Sequence, residues 1–456
     1  MKLKIGTVML LICQLLSTEA QQKTNIIYIL ADDLGYGDLG CFGQQKILTP
    51  EIDQMAAEGM KFTQHYAGST VCGPSRASLL TGLHSGHSPV RGNPLWTFIG
   101  NPVDMPRSQI TVAKELKRAG YVTGIVGKWG MAEADLESMP LNQGFDYFYG
   151  YRKHKTAHYY YPEILWENND PFHPEGNDEY NAKGQYSHDS FTSKAVEFVQ
   201  QNADTSFFLY LAYTIPHQEL TVPEDSKAPY KNLGWPKRET GRHHEPGNVT
   251  YAGMVSRMDR DIGRLLDELN DLGIAENTLV IFTSDNGPEF DNGFFDSNGP
   301  LTGKKRDLYE GGIRIPFIAY WPNHIKAGST SEHVSAFWDF FPTACELAGV
   351  EPSTRIDGIS YLPSLLGERQ AEHNYLYWEI NVHEGPIQAV RKDNWKAVKF
   401  YNKPIELYDL SEDVGENNNL AEAKPKKAEE LMNLIGSARS YNPAFLLEPH
   451  PRILKK

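Results

Sequence analysis

The run Val71-Cys72-Gly73-Pro74-Ser75-Arg76-Ala77-Ser78-Leu79-Leu80-Thr81-Gly82 places one cysteine at the start of a predicted helix, with an arginine one turn further on. Pro74 suits a first turn, where its missing N–H costs nothing, and Leu79, Leu80 and Leu83 supply an apolar stripe. The free N–H groups and positive dipole end of such a helix attract an anion beside Cys72. The pattern reads as a nucleophile cradle, whereas a cysteine without such neighbours ordinarily packs as a small hydrophobe. Three apolar runs then end in polar residues: 25–30 in Asp32 and Asp33, 278–284 in Asp285 and Asn286, and 207–214 in Pro216 and His217. Ligands of open α/β sheets sit beyond the carboxyl ends of strands, so all three ends can face one crevice. Three carboxylates and an amide oxygen form a hard, all-oxygen set suited to Ca²⁺ rather than to zinc. Taken alone, Asp32-Asp33 reads as readily as a turn or a helix cap, and Asp285-Asn286-Gly287 as a turn.

Cys72-x-Pro74-Ser75-Arg76 followed by Leu79-Leu80-Thr81-Gly82 resembles the signature of the type I sulfatases, part of the alkaline phosphatase superfamily. The likeness runs over nearly the whole mature chain, in the manner of secreted bacterial polysaccharide sulfatases of the arylsulfatase A type. It implies that a formylglycine-generating or anaerobic sulfatase-maturating enzyme oxidises Cys72 to Cα-formylglycine. It also implies that Asp32, Asp33, Asp285 and Asn286 bind one Ca²⁺ together with an oxygen of the modified Cys72. Arg76, Lys128 and His217 match family positions that assist the nucleophile, bind sulfate and move a proton. Lys305 lies in Gly303-Lys304-Lys305-Arg306-Asp307-Leu308-Tyr309-Glu310-Gly311-Gly312, which resembles the family segment ending in Tyr-Glu-Gly-Gly. Counting back from Glu310 selects Lys305 as the sulfate-binding lysine, with Lys304 kept as a neighbouring substrate-binding candidate.

One departure stands out. Many relatives read Gly-Lys-x-His, with that histidine on the formylglycine, whereas this chain reads Gly127-Lys128-Trp129-Gly130. His158, in Thr156-Ala157-His158-Tyr159-Tyr160-Tyr161-Pro162, is the expected replacement; its other reading is an ordinary substrate-loop histidine. The implied reaction is hydrolysis of a sulfate ester. Two alternatives remain: a phosphonate monoester or phosphodiester hydrolase of the same superfamily, and a sulfated-glycan-binding protein that has lost catalysis.

These groups need a frame. The run 25–30 reads as a buried strand, and Thr49-Pro50-Glu51 opens an amphipathic helix with Ile52, Met55 and Ala56 on one face. Helix 111–119 precedes strand 122–126, helix 191–199 precedes strand 207–213, and a helix around 258–269 precedes strand 278–282. This alternation predicts an α/β domain around a mainly parallel sheet flanked by helices. Residues 225–248, rich in proline and charge, read as a long surface loop. Short strand-like pieces at 375–380, 388–391, 395–400 and 406–408, then a helix over 427–435, predict a small antiparallel C-terminal domain. The division expected is a signal peptide over 1–20, a catalytic domain over 21–370 and a small α+β domain over 371–456, in keeping with cores that stop growing near ~250–300 residues.

Met1-Lys2-Leu3-Lys4 and the apolar run to Leu16 predict export, with the mature protein in the periplasm or secreted and without a membrane anchor. The formal net charge of −14 argues against nucleic acid as a partner. A sulfated substrate must then meet local cations, and Arg152, Lys153, His154 and Lys155 form one basic cluster and Lys304, Lys305 and Arg306 another, although charge runs are usually solvated. The aromatic stretch 147–166 suggests a sulfated carbohydrate, with an algal polysaccharide of the ulvan, carrageenan or fucoidan type favoured over an animal glycosaminoglycan; the same aromatics also read as plain core. Cys41 and Cys345 can pair or stay free.

Overall fold

β1 (Asn25–Ala31) is buried along its whole length, and its alternate side chains enter two different cores. Ile27, Ile29 and Ala31 join one and Ile26, Tyr28 and Leu30 the other, as expected of a central strand covered on both faces. In this computed structural model, which describes residues 23–94, 96–134, 136–178, 184–237, 247–289, 293–382 and 385–449, β1 lies at the middle of an 11-stranded sheet. The expected signal peptide lies outside the described residues.

The other strands of that sheet are β2 (Met60–Tyr66), β3 (Val122–Lys128), β4 (Tyr147–Tyr151), β5 (Leu165–Glu167), β6 (Asp170–Phe172), β7 (Phe207–Ala212), β8 (Thr278–Ser284), β9 (Arg314–Tyr320), β10 (Ser329–Ser331) and β11 (Ser335–Ala336). Their order is β10-β2-β9-β8-β1-β7-β3-β4-β5-β6, with β11 beside β2. The central strands β8, β1, β7, β3 and β4 run parallel, so their carboxyl ends open on one edge. β9 is antiparallel to both β2 and β8, and β4–β5–β6 is an antiparallel extension.

α1 (Pro50–Glu58), α4 (Ser187–Gln201) and α6 (Gly247–Asp271) cover one face of the sheet, with the short turn α5 (Glu224–Lys227) against α6. α2 (Cys72–Thr81), α3 (Val112–Arg118) and α8 (Phe340–Leu347) cover the other, and α7 (Glu310–Ile313) and α9 (Leu362–Leu365) are single turns. Thr111 caps α3 by accepting from Lys114 N–H, whereas Thr49 precedes α1 without such a bond and hydrogen-bonds Asp53 instead. The segment expected as a loop over 225–248 is only partly so. It begins with a helical turn, and its last residues already belong to α6, whose apolar stripe starts at Val249; residues 238–246 lie outside the described ones.

A separate four-stranded antiparallel sheet follows, in the order β12 (Leu376–Val382), β13 (Gly385–Lys392), β14 (Trp395–Phe400) and β15 (Ile405–Asp409). One face packs Trp378, Ile380, Ala389 and Val398 against Tyr66 at the end of β2 and against Val71, Leu308, Ile313 and Trp338 from the turns around it. α10 (Pro425–Ser437) covers the other through Ala428, Leu431 and Ile435. Cys41 and Cys345 are both free and belong to opposite faces of the large sheet.

Candidate active site

The parallel strands deliver their terminal residues to one place. Asp32 and Asp33 leave β1, Lys128 closes β3, His217 follows β7, and Asp285 and Asn286 leave β8; none is more than 5% exposed. Asp33 adopts φ 66°, a left-handed conformation that is costly for a residue with a side chain and concentrates at functional sites. It turns the Asp33 N–H onto Asp285 Oδ1 at 3.1 Å. Gly127 has φ 111° and a Cβ there would lie 1.9 Å from the Ala212 carbonyl oxygen, so only glycine lets β3 and β7 close in beneath Lys128.

α2 enters from the opposite side with Cys72 as its first residue, and every residue of the helix is buried. Ser75 Oγ donates to the Asp285 carbonyl at 2.5 Å. Arg76 donates through Nε and Nη2 to Asp285 Oδ2, both at 2.9 Å, lies 3.5 Å from Asp32 Oδ2, and donates through Nη1 to the Lys128 carbonyl at 3.1 Å. Lys128 Nζ sits 2.6 Å from Asp32 Oδ2, and Lys305 Nζ 2.6 Å from Asp33 Oδ2. Asn286 Nδ2 donates to Asp33 Oδ1 at 2.8 Å. His217 Nε2 is 3.4 Å from Asp33 Oδ2 and 3.2 Å from Lys305 Nζ.

The electrostatics follow from burial among opposite charges. Burial alone would raise the Asp32 carboxyl, but Lys128, with His217 and Arg76, holds it well below the usual carboxylate range. Burial works against the charge of Lys305 and of Lys128 too, and Asp33 and Asp32 respectively reverse it, so both ammonium groups are held charged. Burial, then Lys305, pushes His217 down to about 3, and burial pushes the Cys72 thiol up.

Two acceptors in this cluster, Asp32 Oδ1 and Asn286 Oδ1, are buried without a protein partner. Buried polar atoms are nearly always satisfied, so this pair points to a cation. Asp32, Cys72 and Asp285 offer ligand atoms that all lie within 4.8 Å of one another, and so do Asp32, Asp33 and His217. The carboxylate and amide oxygens fit a hard divalent ion.

Beside the cluster opens a cavity of about 390 Å³ lined by His154, Lys155, His158, Tyr159, His217, Lys305 and Arg306 together with Asn93, Trp96, Glu133 and Glu289. Glu289 accepts from Arg306 at 2.7 Å and lies 3.1 Å from Lys305 Nζ. Lys304 is exposed and not among the lining residues; its backbone N–H bonds Asp307 while Arg306, at φ 80°, turns inward. His158 lines the cavity with its ring stacked on His217, centroids 4.2 Å apart, but the imidazole beside Cys72 is another: His154 Nδ1 lies 3.8 Å from Cys72 Sγ. Of the aromatic stretch, Tyr149, Tyr151 and Tyr160 are core, Trp166 lies under Arg152, and Tyr159 reaches the cavity. His154 was hidden in its basic cluster. The available signal was topological: residues leaving adjacent parallel strands emerge side by side.

A protein-family model described as Sulfatase matches residues 24–350. The chain belongs to the sulfatase family. A second model, N-sulphoglucosamine sulphohydrolase, C-terminal, matches residues 295–437. N-acetylgalactosamine-6-sulfatase of Mus musculus is 34% identical over 401 residues, 84% of this chain and 73% of that protein. Arylsulfatase A of Homo sapiens is 32% identical over 473 residues, 90% of this chain and 86% of that one. Among solved structures, Ps i-CgsB in complex with k-i-k-neocarrahexaose is 29% identical with a TM-score of 0.80, covering 94% of this chain and 95% of that one. This sulfatase has the family's α/β fold with its small antiparallel C-terminal sheet, and it is a sulfuric ester hydrolase.

Proposed function

We propose that this sulfatase removes sulfate from a saccharide, with Cys72 converted to Cα-formylglycine and one Ca²⁺ held by Asp32, Asp33, Asp285, Asn286 and the modified residue. The observation that carries the reading is the convergence of three buried carboxylates on the start of α2, with two acceptors left unpartnered. The cation supplies concentrated positive charge beside the nucleophile and the sulfate oxygens. The converted side chain supplies a geminal diol, one hydroxyl of which attacks sulfur while the other lets sulfate be expelled as the aldehyde re-forms.

The remaining work falls to ordinary side chains. Lys128 and Lys305 hold sulfate oxygens where negative charge accumulates, and the positive end of the α2 dipole adds to them. Arg76, between Asp285 and Asp32, offsets carboxylate repulsion and steadies the helix that carries position 72. Lys305 Nζ, held charged, stands ready to protonate the departing sugar oxygen, a contribution of about 10²–10⁴ in rate, and the neutral His217 Nε2, 3.2 Å away, is placed to accept from it. The cavity has the size of a small-molecule site and takes one sugar end rather than a length of polymer.

The saccharide reading is supported by the relatives' names and by the neocarrahexaose in the solved complex. Within it we favour an algal carrageenan-type oligosaccharide over ulvan or fucoidan, acted on after export to the periplasm or beyond. The test is sulfate release, followed by ion chromatography, from sulfated oligosaccharides of each type and from N-acetylgalactosamine 6-sulfate, beside an aryl phosphonate. Release from a sulfated sugar with little phosphonate cleavage is expected. Preferred phosphonate cleavage would move the assignment to a phosphonate hydrolase, and tight glycan binding without release to a binding protein.

A further inference from the structure

Lys128 ends β3 and Tyr151 ends β4, and the two are paired in register. The pairing continues past both strands, because Trp129 N–H donates to the Tyr151 carbonyl at 3.0 Å and Gly130 N–H to the Arg152 carbonyl at 3.2 Å. Side chains alternate along this extension. Lys128 faces the carboxylates, Trp129 turns into the core, where its indole N–H donates to the Ser138 carbonyl, and position 130 faces the site again.

A Cβ built on Gly130 would lie 3.7 Å from Lys128 Cγ and Cε and 3.9 Å from His154 Cα. Gly130 thus leaves an open position beside Lys128, and the residue next to that opening is His154. Its backbone N–H is held by Glu133 Oε2 at 3.1 Å, and its Nδ1 points to position 72, 3.8 Å from Sγ. His158 packs edge-on at 5.2 Å behind it and stacks on His217, so it belongs to the leaving-group side.

We propose that His154 is a catalytic residue of this sulfatase. Its imidazole reaches the nucleophilic side chain from the end of β4, across the space that Gly130 keeps open at the end of β3. His154 Nδ1 takes the proton of the hydroxyl that remains on residue 72 as sulfate departs. The O–H electron pair re-forms the carbonyl, the bond from that carbon to the sulfate oxygen breaks, and sulfate leaves with the bonding pair. This assignment rests on the function proposed above, and it makes two positions on neighbouring strands interchangeable.

The test compares the parent protein with His154→Ala and with the transposed pair Gly130→His/His154→Gly, all made with a maturating enzyme. Histidine tolerates left-handed backbone better than most residues, so φ 74° at position 130 admits it. Three readouts are taken: the mass of the residue-72 peptide before turnover, its mass after acid quench during turnover, and sulfate release. His154→Ala should convert as the parent does, lose about 10²-fold or more in kcat, and retain sulfate on the peptide after quench. The transposed pair should recover at least a tenth of the parent rate. An active parent beside an equally active, fully converted His154→Ala overturns the assignment of His154 alone. So does a His154→Ala variant that is slow but carries no sulfate after quench. A parent that converts and releases no sulfate from any ester overturns the sulfatase reading and this one with it. Thermal unfolding of each variant, expected to match the parent, distinguishes lost chemistry from lost fold.

Discussion

Two clusters of buried charge lie at opposite ends of the Lys305 loop, and only one of them is open. In the first, Asp32, Asp33 and Asp285 face Arg76, Lys128 and Lys305 beside a cavity, with Asp32 Oδ1 and Asn286 Oδ1 unpartnered. In the second, under the C-terminal sheet, Glu310 accepts from Tyr66 Oη at 2.6 Å, Lys396 Nζ at 2.9 Å and Arg314 Nη1 at 3.3 Å. Lys396 Nζ also lies 2.9 Å from Glu416 Oε1, Glu416 Oε2 accepts from Glu310 N–H at 2.6 Å, and Arg391 bonds the Tyr66 hydroxyl. Tyr66, Glu310, Lys396, Arg391 and Glu416 are all buried, at most 5% exposed. The contrast teaches where burial of charge serves chemistry. The first cluster keeps acceptors for a cation and a substrate, whereas the second pairs both its glutamates with Lys396 and fixes α7, next to the loop carrying Lys305.

The largest separation between the two comes from Cys72→Ala, which should lower sulfate release by about 10⁴-fold or more while leaving the melting temperature nearly unchanged. Asp285→Ala should come next: calcium content, read by elemental analysis, falls toward zero, and kcat/KM drops about 10²-fold or more. Lys396→Met should show the reverse pattern. Removing one partner of a buried ion cluster leaves Glu310 and Glu416 facing each other, at a cost of about 3–5 kcal/mol in denaturant unfolding. Calcium content and Cys72 conversion should stay at parent levels, and loss of calcium in Lys396→Met would erase the distinction drawn between the clusters.

The last effect concerns acid and is read as a slope. His65 and His84 lie in neither cluster, and burial lowers them to about 3 and about 4 from an ordinary 6.5. The folded protein therefore binds fewer protons than the unfolded chain between about pH 6.5 and 4 through His84, and down to about 3 through His65. Stability is full above that window and falls as pH drops through it, by up to about 1.4 kcal/mol per pH unit for each histidine. His65→Phe, which fills the same buried space without titrating, should flatten the pH dependence of unfolding below pH 6.5. An unchanged slope would assign the acid sensitivity elsewhere.

Much of this was legible in the sequence because local rules and tertiary demands agree. β1 and β8 are continuous apolar runs because both faces are covered, and Pro50 and Pro74 mark first turns where no N–H is missed. The polar residues just beyond those strands meet because parallel strands end on one edge. What stayed hidden depends on long-range pairing. β2 mixes polar and apolar residues and runs antiparallel to β9, which the helix–strand alternation does not announce. His154 and Glu289 acquire their neighbours from strand order, which spacing along the chain does not encode. The Tyr309-Glu310-Gly311-Gly312 motif was visible, but not that Glu310 turns from the cavity to meet Lys396 from β14.

The most direct measurement is the mass of the tryptic peptide carrying residue 72, from protein made with and without a maturating enzyme, beside the sulfate each preparation releases. The aldehyde mass is expected only with the maturating enzyme, and release in proportion to the converted fraction. Equal release from protein whose Cys72 remains a thiol would contradict it.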